Sequence, residues 1–253
     1  MVEADRGERA LWLSGDGYRA ALFHLGALTR LNELGLLAQV NTVGAVSGGS
    51  ILAALLAAQI PWPLDGACRS WLEDVARPLR LIARRNARAR SILRRPFPGV
   101  AAEAALEERY ARDLLDSLGG ESRWAPNFIF GASGLALSGL ASSWEESVEW
   151  EITGTVDPPG YPAALVEEVV VEMRTDLDAF GEAEQAVLEN HGYLLADAAL
   201  RSRGFAGVAG FEGLPPEPPH PRWMNEERVR EALSAGSRRK SVGRLLPRGR
   251  GPR

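Results

Sequence analysis

Ala10-Leu11-Trp12-Leu13 is a short unbroken apolar run between polar stretches, the pattern of a buried strand. Ser14-Gly15-Asp16-Gly17 then reads as a turn. From about Tyr18 to Glu33 the apolar residues Leu22, Leu25, Leu28 and Leu31 recur at helical spacing, and Gly35 supplies a stop. Thr42 to Val46 predicts a second strand, followed at once by Ser47-Gly48-Gly49. A second helix is expected from about Ser50 to Gln59, ending before Pro61. Strand, glycine loop, helix, strand, tight turn and helix make a βαβα unit, so an α/β fold with a parallel sheet and packed helices is expected.

The pattern is less regular further on. Trp71 to Arg90, Ala101 to Leu118, Gly181 to Arg201 and Asn225 to Ala235 predict helices, with Asn225 as an N-cap. Pro126 to Gly131, Glu149 to Val156 and Leu165 to Met173 predict strands. Pro215 to Pro221 predicts an extended connector.

Composition narrows the classes. At 253 residues with 45% apolar and 25% charged side chains, the chain has a globular composition and can bury a substantial core. The single cysteine, Cys68, rules out an intrachain disulfide and a cysteine-based zinc site, and fits a reducing compartment. His24, His191 and His220 are not at metal-ligand spacing, so no metal or other cofactor is expected. Met1 to Arg9 is charged and lacks the apolar core of a signal peptide, and the longest apolar run, Ile51 to Ile60, is too short to span a bilayer. The chain is expected to be cytoplasmic, with peripheral membrane contact at most.

Charge is uneven. Eight Arg lie between Arg77 and Arg95, and no acid lies between Val75 and Ala102. From Ser237 the last residues carry seven basic side chains and no acid, so without this tail the net −4 becomes −11. One domain over residues 1–236 and a basic, disordered tail over 237–253 are expected. The Arg cluster fits either a solvated helix face or contact with acidic headgroups. No aromatic interleaves with the basic tail, so no specific nucleic-acid partner is expected.

The two glycine turns carry the candidate chemistry. Ser47 sits where a strand ends and a helix begins, among Gly44-Ala45-Val46-Ser47-Gly48-Gly49-Ser50. Such a turn lifts a hydroxyl to a helix N-terminus, where backbone N–H groups can face a developing oxyanion. An N-cap serine in an ordinary βα turn gives the same pattern. The Ser14–Tyr18 turn fits an anion-binding nest. No Gly-Lys-Ser/Thr follows it, which excludes a Walker loop, and the spacing excludes a dinucleotide fingerprint.

The stretch from Leu13 to Leu28, with Val46-Ser-Gly-Gly-Ser50, resembles the N-terminal part of patatin-like phospholipases. Arg174-Thr-Asp-Leu-Asp178, Asn190-His-Gly-Tyr193 and Trp223 to Leu233 resemble the closing segments of bacterial members. The resemblance implies a three-layer α/β/α fold with a mostly parallel sheet. It also implies a lipid or phospholipid acyl hydrolase with Ser47 as nucleophile. Gly15, Asp16 and Gly17 would form the oxyanion hole through backbone N–H groups, with Arg19 orienting the loop. Asp16 replaces a glycine of the family pattern, and Ala45 replaces the first glycine of the serine turn.

The family's second catalytic group, an Asp in an Asp-Gly-Gly or Asp-Gly-Ala loop, has no clear counterpart. Asp65-Gly66-Ala67 follows Ser47 too closely and reads as a surface turn. Between Leu135 and Val169 the resemblance fades, and the segment carrying the loop is missing or replaced. Asp157, in Thr155-Val-Asp-Pro-Pro-Gly160, is the nearest candidate base. Asp176 and Asp178 are expected to be structural, as are His24 and His220, and His191 is expected on a helix surface. A truncated, catalytically silent chain that at most binds lipid is the alternative.

Overall fold

The computed structural model describes residues 9–15, 17–62, 64–85, 128–131 (backbone only), 160–170, 172–173, 177–202 and 214–236. The helix expected at 101–118, the strand expected at 149–156, Asp16, Asp157, Asp176 and the basic tail lie outside these residues.

The described sheet has three parallel strands, β1 (Ala10–Leu13), β2 (Thr42–Val46) and β3 (Phe128–Gly131), in the order β1-β2-β3. Leu13 pairs with Ala45, and Val46 with Gly131. Parallel strands need a crossover, and helix α1 (Gly17–Glu33) supplies it between β1 and β2. Val43, Gly44 and Ala45 of the central strand are buried, which is why β2 reads as a continuous apolar run. Gly44 lies under the Trp12 ring, where any side chain would overlap the indole.

Gly35 ends α1 as the pattern predicts. Its φ of 68° is left-handed, and the amides of Gly35 and Leu36 bond the carbonyls of Asn32 and Leu31 at 2.9 Å each. Helix α2 (Gly48–Gln59) starts two residues before the expected boundary and buries Ile51, Leu52, Leu55 and Leu56 in the core. A wide π turn at Leu72–Ala76 leads into α3 (Arg77–Ala83).

Helix α4 (Glu182–Ser202) packs along α1, and two glycines allow the close approach. A Cβ on Gly26 would overlap the Glu189 carbonyl, and one on Gly192 would overlap the Phe23 carbonyl. Buried charges then lock the pair. The Arg30 guanidinium donates to Asp197 Oδ1 at 2.8 Å, to the Tyr193 hydroxyl at 3.2 Å and to the Leu214 carbonyl at 2.6 Å. Arg80 of α3 forks onto buried Glu189, which also contacts His220 Nε2 at 3.0 Å. At Arg80 the basic stretch is therefore an internal ion pair rather than a solvated face. Asn190 exchanges hydrogen bonds with the His220 backbone at 2.8 and 2.9 Å, so the extended proline connector is fastened to α4. Helix α5 (Glu226–Gly236) is capped as expected, with Asn225 Oδ1 accepting from the Arg228 amide at 2.9 Å.

The strand expected at Leu165 to Met173 is overturned. Residues 165–170 are helical, not a strand: Ala163–Leu165 form a helical turn that continues into a wide one at Val166–Val170. Leu165 and Val170 are buried while the adjacent Glu167 and Glu168 are both exposed. A strand would turn one of those two acids inward, whereas a helix keeps both outside. Among the described residues no helix is long and apolar enough to cross a membrane.

Candidate active site

Ser47 stands at the carboxyl end of the central strand, one residue before α2, and is exposed. Its φ of 48° and ψ of −121° make it the only non-glycine residue with positive φ among those described. An L-residue held there carries about 1–3 kcal/mol of backbone strain, which surrounding structure must hold in place. The neighbouring glycines show how the turn closes so tightly. A Cβ on Gly48 would overlap the Gly17 carbonyl, and a Cβ on Gly49 would lie 2.5 Å from the Leu13 carbonyl oxygen and 2.6 Å from that of Ser14. The first glycine turn is thus pressed against the second. Gly15 completes the contact, since a Cβ there would lie 2.8 Å from Ser47 Cβ and 3.6 Å from its Oγ.

Gly17 opens α1 at φ 59° and is buried. Two of the residues expected beside Ser47, Gly15 and Gly17, are therefore brought to its turn by the structure. Arg19 is half-buried and its Nη1 donates to the Met173 carbonyl at 3.1 Å, so it ties the start of α1 to the segment before α4. This arrangement offers an exposed hydroxyl at a helix N-terminus beside the closely packed first glycine turn.

The patatin-like phospholipase family model matches residues 11–235. The chain belongs to the patatin-like phospholipase family. It is thereby a member of a family of lipid acyl hydrolases that act on lipid esters, and its parallel sheet with packed helices is the α/β patatin-like fold. No curated protein and no solved structure matches the chain.

The patatin-like chain's other candidate groups fall in different places. Asp65 is exposed in a turn whose Gly66 has φ 86°, as its sequence suggests. Asp178 is buried. Among the described residues no group of His, Cys, Asp or Glu side chains could hold a metal ion. His191 is not a helix-surface residue: its ring is half-buried, 5.7 Å from the Phe23 ring and 6.2 Å from that of Tyr161. The neighbouring Gly192 lets α4 approach the Phe23 backbone of α1, which brings the His191 ring against the Phe23 ring. Burial pushes His191 down to about 4, and pushes Tyr161 up to about 12.

His24 is the residue whose place the sequence concealed. Its Nε2 lies 3.1 Å from Ser14 Oγ and 3.2 Å from the Ser14 carbonyl oxygen, at the entrance to the first glycine turn. Burial lowers it to about 4, against the opposing effect of the hydrogen bond it donates to the Ser14 carbonyl. Its place on α1, two turns after Gly17, was the available signal.

A pH dependence follows for His191. Its folded value lies below the ordinary ~6.5, so folding favours the neutral ring. That contribution is complete above about pH 6.5 and is lost as pH falls towards about 4. His191→Phe should therefore resist acid better than the natural chain, by about 1–2 kcal/mol at pH 4.5 relative to pH 7. Thermal melts of both proteins at the two pH values check this, and parallel losses in the two would refute it.

Proposed function

We propose that this chain hydrolyses carboxylic esters of lipids through Ser47. The observation that carries the reading is the strained, exposed serine at the strand-to-helix turn with Gly15 packed against it. Ser47 Oγ attacks the ester carbonyl carbon and passes its proton to a carboxylate base. The carbonyl oxygen becomes an oxyanion, which the backbone N–H groups of Gly15, Asp16 and Gly17 stabilise. Collapse expels the alcohol with the proton and leaves an acyl-serine. Water then gives a proton to the same base as it attacks the acyl carbon, and collapse breaks the bond to Ser47 Oγ, which takes that proton back as the carboxylic acid is released. Arg19 anchors the far end of the loop on the Met173 carbonyl.

The base proposed is Asp157, and Asp157→Asn should abolish turnover with the thermal midpoint unchanged. Full retention of activity would exclude it. The competing reading is a catalytically silent lipid-binding chain, favoured by the lack of an Asp-Gly-Gly or Asp-Gly-Ala loop at the family's distance from Ser47. A fluorophosphonate probe separates the two. It should modify the natural chain at Ser47, as located by peptide mass spectrometry, and an unlabelled Ser47 would favour the silent reading. We place the chain in the cytoplasm, meeting its substrate at a membrane surface, with no specific nucleic-acid partner.

A further inference from the structure

We propose that His24 is a positioning residue that orients the oxyanion-hole loop through the Ser14 carbonyl. The inference rests on the reading of Ser47 as nucleophile and Gly15 as an oxyanion donor. The Ser14 carbonyl and the Gly15 N–H belong to one planar peptide unit, and in a trans peptide they point in opposite directions. Whatever fixes the carbonyl therefore aims the Gly15 amide. His24 Nε2 lies 3.2 Å from that oxygen and 3.1 Å from the Ser14 hydroxyl. A carbonyl oxygen can only accept, so the imidazole proton sits on Nε2, shared between the two oxygens.

The carbonyl is confined from a second side as well. It lies so near Gly49 that a Cβ there would approach it to 2.6 Å, so the oxygen is lodged between the imidazole and the first turn of α2. The imidazole is steadied by the Phe23 ring, whose centroid is 5.7 Å away in an edge-to-face arrangement. Burial keeps the ring neutral at physiological pH, so the donor is the same above about pH 5. His24 thus stands behind the loop. It touches no substrate, and its effect on catalysis runs through the Gly15 amide.

The test compares three variants with the natural chain on a short-chain p-nitrophenyl ester, with rates expressed per folded protein from circular dichroism. His24→Phe keeps the ring but removes the donor, and should lower kcat by about 30-fold while KM stays within about threefold, because oxyanion contacts act mainly in the transition state. His24→Gln carries an N–H at about the reach of Nε2 and should recover most of that loss, whereas His24→Asn is one methylene shorter and should not. If His24→Phe fails to fold, the Gln and Asn pair decides alone. Equal kcat for Gln and Asn, or a Phe variant within threefold of the natural chain, would overturn the positioning role while leaving Ser47 in place. A natural chain with no Ser47-dependent turnover would overturn both.

Discussion

Ser47→Ala should lower the turnover of a short-chain p-nitrophenyl ester by on the order of 10⁴-fold or more, to the level left by binding and the oxyanion hole alone. The reason is chemical: without the Ser47 hydroxyl no acyl-enzyme forms at that turn. The stability of the variant should barely change, because Ser47 is exposed and alanine suffers the same strain at φ 48°. Ser47→Gly should differ in a telling way. Glycine tolerates positive φ, so this variant should be equally inactive yet more stable by about 1 kcal/mol. Loss of activity together with a gain in thermal midpoint would show that strain is held at the nucleophile for function. Undiminished hydrolysis by either variant would rule out Ser47 as the nucleophile.

Gly26→Val should leave no stably folded protein at 37 °C. The added Cβ would meet the Glu189 carbonyl group, with its carbon 2.7 Å and the Glu189 Cα 2.9 Å away. These are backbone atoms and cannot rotate aside. The helices α1 and α4 would have to separate, loosening the buried Arg30–Asp197 pair and the Glu189 cluster with Arg80 and His220. Overpacking of this kind, coupled to disturbed buried charges, costs more than about 4 kcal/mol, a large part of an ordinary domain's stability. Gly35→Ala is the matched control. Nothing lies within 4 Å of a Cβ there, so only its φ of 68° is penalised, at about 1 kcal/mol. Denaturant melts should show a cooperative transition for Gly35→Ala and none, or a greatly lowered one, for Gly26→Val. Equal midpoints would show that the helix contact yields easily.

The first half of the site was legible because its determinants are local. β1, α1, β2 and α2 lie within two residues of their predicted bounds, since each apolar run is closed by glycine or proline in the same stretch. The helical segment after Tyr161 was misread because β-branched residues outweighed the paired Glu167 and Glu168, whose joint exposure only a helix allows. Arg80 falls in the stretch read as a solvated face or a headgroup contact, yet it meets buried Glu189, more than a hundred positions away. His24 looked like any polar residue on α1 until the loop folded back onto it.

The sequence by itself determined the family and the βαβα start, and it marked Ser47 between two glycine-rich turns. Periodicity and chain punctuation act over a few residues, and so they can be read along the chain. The tertiary structure alone decided that Gly15 presses on Ser47, that Ser47 adopts a left-handed φ, that Gly26 and Gly192 let two helices touch, and that His24 stands behind the Ser14 carbonyl. Those facts depend on close packing between segments distant in sequence, where a single methyl group decides whether two backbones can meet.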